Sequence, residues 1–409
     1  MNIAWIGVGK LGRPCAEEMA KKGHTVTGYD LQRIKSPYIL QFPNIKGAVS
    51  SADIVFVAVP TPHDLAYDGR APTSNLEPKD FDYSIVKEVL AEANKHMTKD
   101  QLLVLVSTVL PGTTRNEFIN LLPNTRFVYN PYLIAMGSVA WDMINPEMVM
   151  IGTEDGTETG DAKQLVDFYK TIMENNPRYV VGTWDECECI KVFYNTWIST
   201  KIGLSNMILD VAERQGNINV DVVTEALAGS TMRIMGPQYM RAGMGDGGGC
   251  HPRDNIALRF MAQELDLGYD LFDAIINSRE IQARNLATRL ADIANKKNLQ
   301  IYIHGKAYKP GVEYIDGSYS LLVGHYCEQL GFTPVYIDPL TGDDYKAIDP
   351  GVFMLAHSPS TTYKYTNDSR ADLLYCDIPA GSVIVDPWRK FTTDRLDIEV
   401  IHYGNTRLG

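Results

Sequence analysis

The amino-acid sequence predicts an α/β protein with two Rossmann-like doubly wound domains, joined by a long central helix and a helical middle domain. Three observations carry that expectation. Short apolar runs alternate with amphipathic stretches from the N-terminus to about residue 180, the pattern of a parallel sheet with helices on both faces. A stretch from Asp185 to Gln215 has Gly203 as its only interior breaker. After residue 298 the alternation resumes.

Taken in order, IAWIGVG, HTVTGYD, ADIVFVAVP, LLVLVST, RFVYNP and MVMIGT read as buried parallel strands, because strands covered on both faces are apolar almost throughout. Asp185–Gln215 reads as one helix of unusual length, stopped by Gly216 just past its last turn. Helical pattern continues through Leu290, interrupted by the glycine-rich run GDGGGCHPRD at 245–254. The polar patch NKKN at 295–298 reads as a linker. IYIHG, PVYID, VFML, SVIVD and EVIHYG then supply a second, smaller α/β domain. The expected division is an N-terminal Rossmann domain over 1–184, a central helical domain over 185–294 and a C-terminal α/β domain over 295–409.

Composition narrows the function. A chain of 409 residues exceeds the usual size of one domain. Its formal charge of −12 lacks the basic footprint of a nucleic-acid binder, so no nucleic-acid partner is expected. No apolar run is long enough to span a bilayer, and MNIAWIGVGK reads as a strand, not a signal peptide, so no membrane partner is expected. The six cysteines are scattered without a disulfide spacing, which points to a reducing cytoplasm and free thiols. A free thiol can be a nucleophile.

The segment from Gly7 through Gly9 to Gly12 lies between a predicted strand and a predicted helix, with Asp30 at the end of the next strand. The first glycine permits the tight turn, the second lets a pyrophosphate approach the backbone, and the third allows close helix–strand packing. The helix N-terminus then offers unpaired N–H groups to the phosphates. Asp30 suits a ribose diol and repels a 2′-phosphate, which selects NAD over NADP.

Cys250 follows three glycines and precedes Arg253 and Asp254. Arg253 and a helix start both favour a thiolate, and the flanking N–H groups suit a phosphate or oxyanion. An inert buried thiol is the alternative. No metal is expected, since CHxxD is not a zinc-ligand spacing and Cys187 and Cys189 point to different sides of a helix. On the long helix, Lys191 and Asn195 share a face at i and i+4 and form a donor pair able to stabilise an alkoxide, though most such pairs merely sit on helix surfaces.

These residues resemble the UDP-glucose/GDP-mannose dehydrogenase family, the NAD-dependent nucleotide-sugar dehydrogenases. The resemblance runs through GVGKLG, Val59-Pro60-Thr61-Pro62, Ser107-Thr108 with Pro111-Gly112-Thr113, Lys191 and Asn195, RIMGPQYMRAGMGDGGGCHPRD, and Gly305-Lys306-Ala307-Tyr308-Lys309-Pro310. It implies that a nucleotide sugar such as a UDP- or GDP-sugar is oxidised at its 6-hydroxyl to the uronic acid, through a thiohemiacetal and a thioester on Cys250. By the same resemblance, Lys191 and Asn195 steady the oxyanion, while Asp254 and Thr108 position water or move protons. Thr61, Ser107 and Arg253 lie near the cofactor, and Lys309, Tyr239 and Gly249 contact the substrate. The long helix resembles the family's dimer core, so a homodimer is expected.

The sequence also departs from the family. The family's Pro-Glu-Phe-Leu-Arg-Glu run is here Pro131-Tyr132-Leu133-Ile134-Ala135-Met136, without either carboxylate, and an expected arginine is replaced by Asp316. Those losses keep two alternatives open: a two-electron dehydrogenase resembling the 6-phosphogluconate and β-hydroxyacid enzymes, and a non-catalytic nucleotide-sugar-binding relative. Asp142 and Glu147 are acids nearby in sequence. The segment from His63 to Asp82 is long enough for a lid. Base and sugar are not legible.

Overall fold

Eight strands form the sheet of the N-terminal half: β1 (Asn2–Ile6), β2 (Thr25–Tyr29), β3 (Leu40–Gln41), β4 (Ile54–Val57), β5 (Leu102–Leu105), β6 (Arg126–Tyr129), β7 (Met148–Thr153) and β8 (Arg178–Thr183). Their order is β3-β2-β1-β4-β5-β6-β7-β8. This is a computed structural model, and it describes residues 1–62, 80–134, 138–236, 242–248, 252, 255, 259, 261–358 and 378–405. The chain divides into two compact units, Met1–Gly203 and Leu204–Gly409.

In the first unit, side chains alternate between the two faces of the sheet, as a strand requires. Ile3 and Trp5 of β1 join Ile54 and Phe56 of β4 in one core, whereas Ala4, Ile6, Val55 and Val57 join the other. Helix α1 (Gly12–Lys21) buries Cys15, Ala16 and Met19 in the first core. After α2 (Ile45–Val49), helix α3 (Ser84–Asn94) buries Val86 and Leu90 in the second. Trp5 stacks on Phe56 at 4.9 Å between ring centroids, a geometry that adds about 0.5–1.5 kcal/mol to the area buried. Because both faces are covered, the central strands carry almost no polar residue.

Strands β1 to β6 run parallel and reverse order between β1 and β4, the place where doubly wound sheets bind nucleotides. MVMIGT does not follow the expected parallel course: β7 is antiparallel to β6, pairing Gly152 with Tyr129. The reason lies in the connection. Its helix, α4 (Val139–Ile144), has six residues and so rises only about 9 Å. The chain therefore re-enters the sheet from the carboxyl edge instead of crossing back. After α5 (Gly160–Tyr169), β8 pairs parallel to β7.

Helix α6 (Trp184–Gln215) follows directly and is a single helix over the expected stretch, with Gly216 at φ +73° just beyond it. Positive φ is where glycine is favoured, so the stop is local chemistry.

The second unit contains α7 (Val220–Ala228), α8 (Leu271–Lys297), β9 (Gln300–His304), α9 (Tyr319–Gln329), β10 (Val335–Ile337), β11 (Gly351–Leu355), β12 (Val383–Asp386) and β13 (Glu399–His402). Its sheet, β10-β9-β11-β12-β13, is parallel throughout and reverses between β9 and β11. The NKKN patch is not a linker. Ala283, Leu286, Ala287, Leu290, Ala291 and Ala294 form a buried helical stripe, and that stripe carries α8 on to Lys297. Lys296 and Lys297 lie in the last turn, where cations suit the helix dipole, and Asn298 caps it in the left-handed conformation.

Candidate functional site

The turn from β1 into α1 gives each glycine a separate task. Gly7 sits at φ +87°, and a Cβ there would collide with the Ala58 carbonyl. A Cβ on Gly12 would strike the Gly7 carbonyl oxygen. At Gly9 a Cβ would meet nothing within 4 Å. Gly7 and Gly12 are therefore required by the turn itself, whereas Gly9 leaves open space above the backbone, where a pyrophosphate would come closest. Among the described residues, no side chain caps the start of α1 and no acid lies in its first turn. The positive dipole end of α1 is thus open to an anion, while Arg13 N already donates to the Gly9 carbonyl at 3.1 Å and Pro14 has no N–H to offer. Asp30 accepts from Val8 N at 2.8 Å and from Gln32 N at 2.9 Å, which fixes its carboxylate beside the turn. These residues fit NAD.

The loops after β4 and β5 are laced together on the same edge. Thr61 Oγ1 donates to the Thr108 carbonyl at 2.9 Å, and Ser107 Oγ donates to the Val59 carbonyl at 2.6 Å. Beyond Thr108, Gly112 N and Thr114 N donate to the buried carboxylate of Glu188 on α6, at 2.6 and 2.8 Å. Burial pushes the Glu188 carboxyl above the usual range, against the pull of those hydrogen bonds. Sequence reasoning missed Glu188. Its signal was a carboxylate next to the buried Cys187, three residues before Lys191.

Lys191 is partly buried and donates from Nζ to the Tyr132 carbonyl at 2.6 Å. Burial lowers its pKa from the ordinary lysine value. Asn195 is exposed one turn on. The Tyr132 side chain packs against the core beside Trp5, and its hydroxyl meets that of Tyr169 at 2.9 Å. Asp142 accepts from Ser138 Oγ at 2.7 Å and lines, with Tyr132 and Tyr169, a cavity of about 20 Å³. That volume suits roughly one water and no nucleotide. Glu147 lies nearer α6, accepting from Tyr194 OH at 3.2 Å and pairing with Arg178 at 3.6 Å.

In the second unit the Gly305–Pro310 segment leaves β9 at the strand-order reversal. Lys306 N and Ala307 N each donate to Asp338 Oδ2 at 2.9 Å, and His357 Nε2 meets the Ala307 carbonyl at 2.9 Å. Burial drives His304 down to about 4 and lowers His357, so both rings are neutral here near pH 7. Lys309 is exposed at the end of this loop, its ammonium 5.1 Å from the centre of the Tyr308 ring.

The same loop meets the start of the glycine-rich run. A Cβ on Gly245 would enter the Tyr319 ring, and one on Gly247 would press on the Tyr308 carbonyl. Gly248 N donates to the Gly317 carbonyl at 3.3 Å, and Arg279 bonds both Asp246 and that carbonyl. These glycines therefore have a packing role that the sequence did not reveal. Asp316, next in the chain, is exposed. Tyr239, Gly249, Cys250, Arg253 and Asp254 lie outside the described residues, as do Met136 and most of the expected lid, 63–79.

The model described as UDP-glucose/GDP-mannose dehydrogenase family, NAD binding domain, matches residues 31–173, and that family's central domain matches residues 185–280. The first match begins past Asp30, so the Gly7–Gly12 turn rests on its own geometry. A UDP-glucose 6-dehydrogenase of Rickettsia typhi is 26% identical over 349 residues, covering 78% of this chain and 76% of that protein. UDP-glucose 6-dehydrogenase YwqF of Bacillus subtilis is 26% identical over 388 residues, covering 86% and 82%. The ternary complex of GDP-mannose dehydrogenase from Pseudomonas aeruginosa shares the fold at a TM-score of 0.78 and 20% identity, covering 98% of this chain and 99% of that one.

Proposed function

The chain belongs to the UDP-glucose/GDP-mannose dehydrogenase family and is an NAD-dependent nucleotide-sugar dehydrogenase; from that premise we propose that it oxidises the 6-hydroxyl of a UDP-glucose-like sugar to the uronic acid. Gly7, Gly9, Gly12 and Asp30, with Thr61, Ser107 and Arg253 nearby, would hold NAD, which when bound would supply the hydride acceptor for each of the two oxidations. The Cys250 thiolate adds to the C6 aldehyde, and Lys191 and Asn195 donate to the oxygen as it gains charge. The thiohemiacetal so formed is oxidised to a thioester by loss of a second hydride and the hydroxyl proton; hydrolysis of that thioester consumes one water, activated with Asp254 and Thr108, and returns the thiol and the acid. Lys309, Tyr239 and Gly249 bind the substrate. In this reading 1–184 carries the cofactor, 185–294 the catalytic helix and 295–409 the nucleotide sugar.

One observation carries the reading above the others: the partly buried ammonium of Lys191, held at the Tyr132 carbonyl on the loop that leaves β6. A fixed donor of this kind supports an alkoxide at little reorganisation cost. Counting NADH per product over a panel of nucleotide sugars tests it. Two NADH per acid are expected, and acid formation should vanish in C250A. Full acid yield from that variant would reject the thioester route.

Tyr132 favours a second reading, a two-electron oxidation that stops short of the acid, because its side chain is committed to Tyr169 and offers no carboxylate. One NADH per turnover, insensitive to thiol alkylation, would select it. A homodimer fits the exposed Phe193, Trp197 and Ile198 on α6, and no described helix is long and apolar enough to cross a membrane. A cytoplasmic enzyme is in keeping with the free thiols Cys15, Cys187, Cys189 and Cys327.

A further inference from the structure

Among the described residues the Lys191 ammonium is held by the Tyr132 carbonyl, and Tyr132 is itself tied into the core. Asn130, fully buried, donates from Nδ2 to the Met150 carbonyl at 2.5 Å. A carbonyl only accepts, so the amide orientation is fixed, and Oδ1 is the atom that receives the Tyr169 hydroxyl. Tyr169 has then used its single proton. It follows that Tyr132 donates in the 2.9 Å contact between the two hydroxyls. The chain of donors therefore runs in one direction, from Tyr132 through Tyr169 to Asn130, and ends on β7.

Tyr132 is thus pinned at its ring by this relay and by packing against the first core, while its carbonyl receives Lys191 Nζ at 2.6 Å. A lysine side chain has four rotatable carbons, and α6 fixes only its base. An ammonium has three protons. Committing one to a rigid carbonyl sets the directions of the other two.

We infer that Tyr132 is the positioning residue of Lys191: its phenol, anchored through Tyr169 and Asn130, holds its carbonyl where the lysine must point. This rests on the oxyanion-stabilising role given to Lys191 above. It also gives the tyrosine a task at a position where sequence reasoning found only a missing acid.

The test is a double-mutant cycle in the full-length enzyme with NAD and its best nucleotide sugar. Y132F and Y169F keep the rings and delete one hydroxyl each. Each should lower kcat by about tenfold to a hundredfold, the scale of a small misplacement of a reacting group. KM and the dissociation constant of NAD should stay within about twofold. In a K191A background the same changes should have no further effect on residual turnover, because the group they position is gone. An equal loss of kcat in both backgrounds, or wild-type kcat in Y132F, would overturn the inference alone. Wild-type activity in K191A by itself would overturn the catalytic role of Lys191, and this inference with it. Thermal unfolding of each variant separates either result from loss of fold.

Discussion

The carboxylate of Glu188 accepts from the backbone N–H of Gly112 at 2.6 Å, and its second oxygen accepts from Thr114 N at 2.8 Å. One side chain of α6 thereby fastens the loop after β5 to the helix that carries Lys191. Glu188→Ala leaves two buried donors without an acceptor, and each such loss costs about 1–3 kcal/mol. Unfolding in urea should show the first unit destabilised by at least that amount. A change below about 0.5 kcal/mol, the range of an ordinary surface substitution, would mean the loop finds another acceptor.

The same carboxylate predicts a pH dependence. Burial raises its pKa in the folded chain, so the native state binds the proton more tightly than the unfolded state. The stability it contributes is fully present below the ordinary glutamate range and is lost as pH rises through the raised value. Unfolding free energies of wild type and E188Q, measured from acid to neutral pH, should show the wild-type advantage shrinking across that window. An advantage that grows with pH would contradict the sign.

Gly9 and Gly12 separate binding from folding. A methyl on Gly9 meets no atom within 4 Å, while one on Gly12 enters the Gly7 carbonyl. Gly9→Val should fold with near wild-type stability and lose NAD affinity by tenfold or more, on the order of 1.4 kcal/mol. Gly12→Val should be destabilised by about 1–3 kcal/mol from overpacking. Calorimetric titration with NAD and thermal unfolding distinguish the two. Undiminished NAD binding by Gly9→Val would remove the pyrophosphate from this turn.

Much of this was legible because the governing physics is local. The strand–glycine–helix order around Gly7, the stop at Gly216 and the apolar runs of β1, β4 and β5 all follow from short-range rules. The direction of β7 was not, since MVMIGT has the same composition whichever way it runs and only the short α4 decides. NKKN misled for a related reason: its polarity is that of a helix end, and the buried stripe that extends α8 lies upstream. At the site, Lys191 was reached through its i, i+4 spacing to Asn195 together with the family resemblance. The Glu188 clamp, the Tyr132–Tyr169 contact and the packing of Gly245 and Gly247 against Tyr319 and Tyr308 were not, because each joins residues far apart in the chain.

Lys191 gives a prediction on activity. Burial lowers its pKa, so the ammonium is lost at a lower pH than for a lysine in water. In the proposed mechanism only the charged form stabilises the alkoxide, so its contribution to kcat should decline on the alkaline side as pH passes the depressed value. Lys191→Met should cut kcat by about 10²–10³-fold, the usual effect of deleting one oxyanion donor, and should abolish that alkaline limb. Lys191→Arg keeps its charge at any accessible pH, so whatever activity survives should lack the limb as well. An unchanged alkaline limb in Lys191→Arg would assign it to another group.

The exposed stripe on α6 predicts an assembly. Phe193 and Trp197, 62% and 55% exposed, stand one turn apart on the same face, and Ile198 lies beside them. Large aromatics at helical spacing are poorly solvated, and at an interface such residues act as anchors. Wild-type protein should sediment as a dimer. Trp197→Glu, which places a carboxylate in the apolar contact, should weaken dimerisation by about 2–4 kcal/mol and yield monomer at micromolar concentration. Because Trp197 packs on solvent rather than on either core of the first unit, thermal stability measured on the monomer should stay within about 0.5 kcal/mol of the range for surface changes. A wild-type chain that sediments as a monomer at every concentration would leave the stripe without a partner copy, and a dimer unaffected by Trp197→Glu would move the interface to another face.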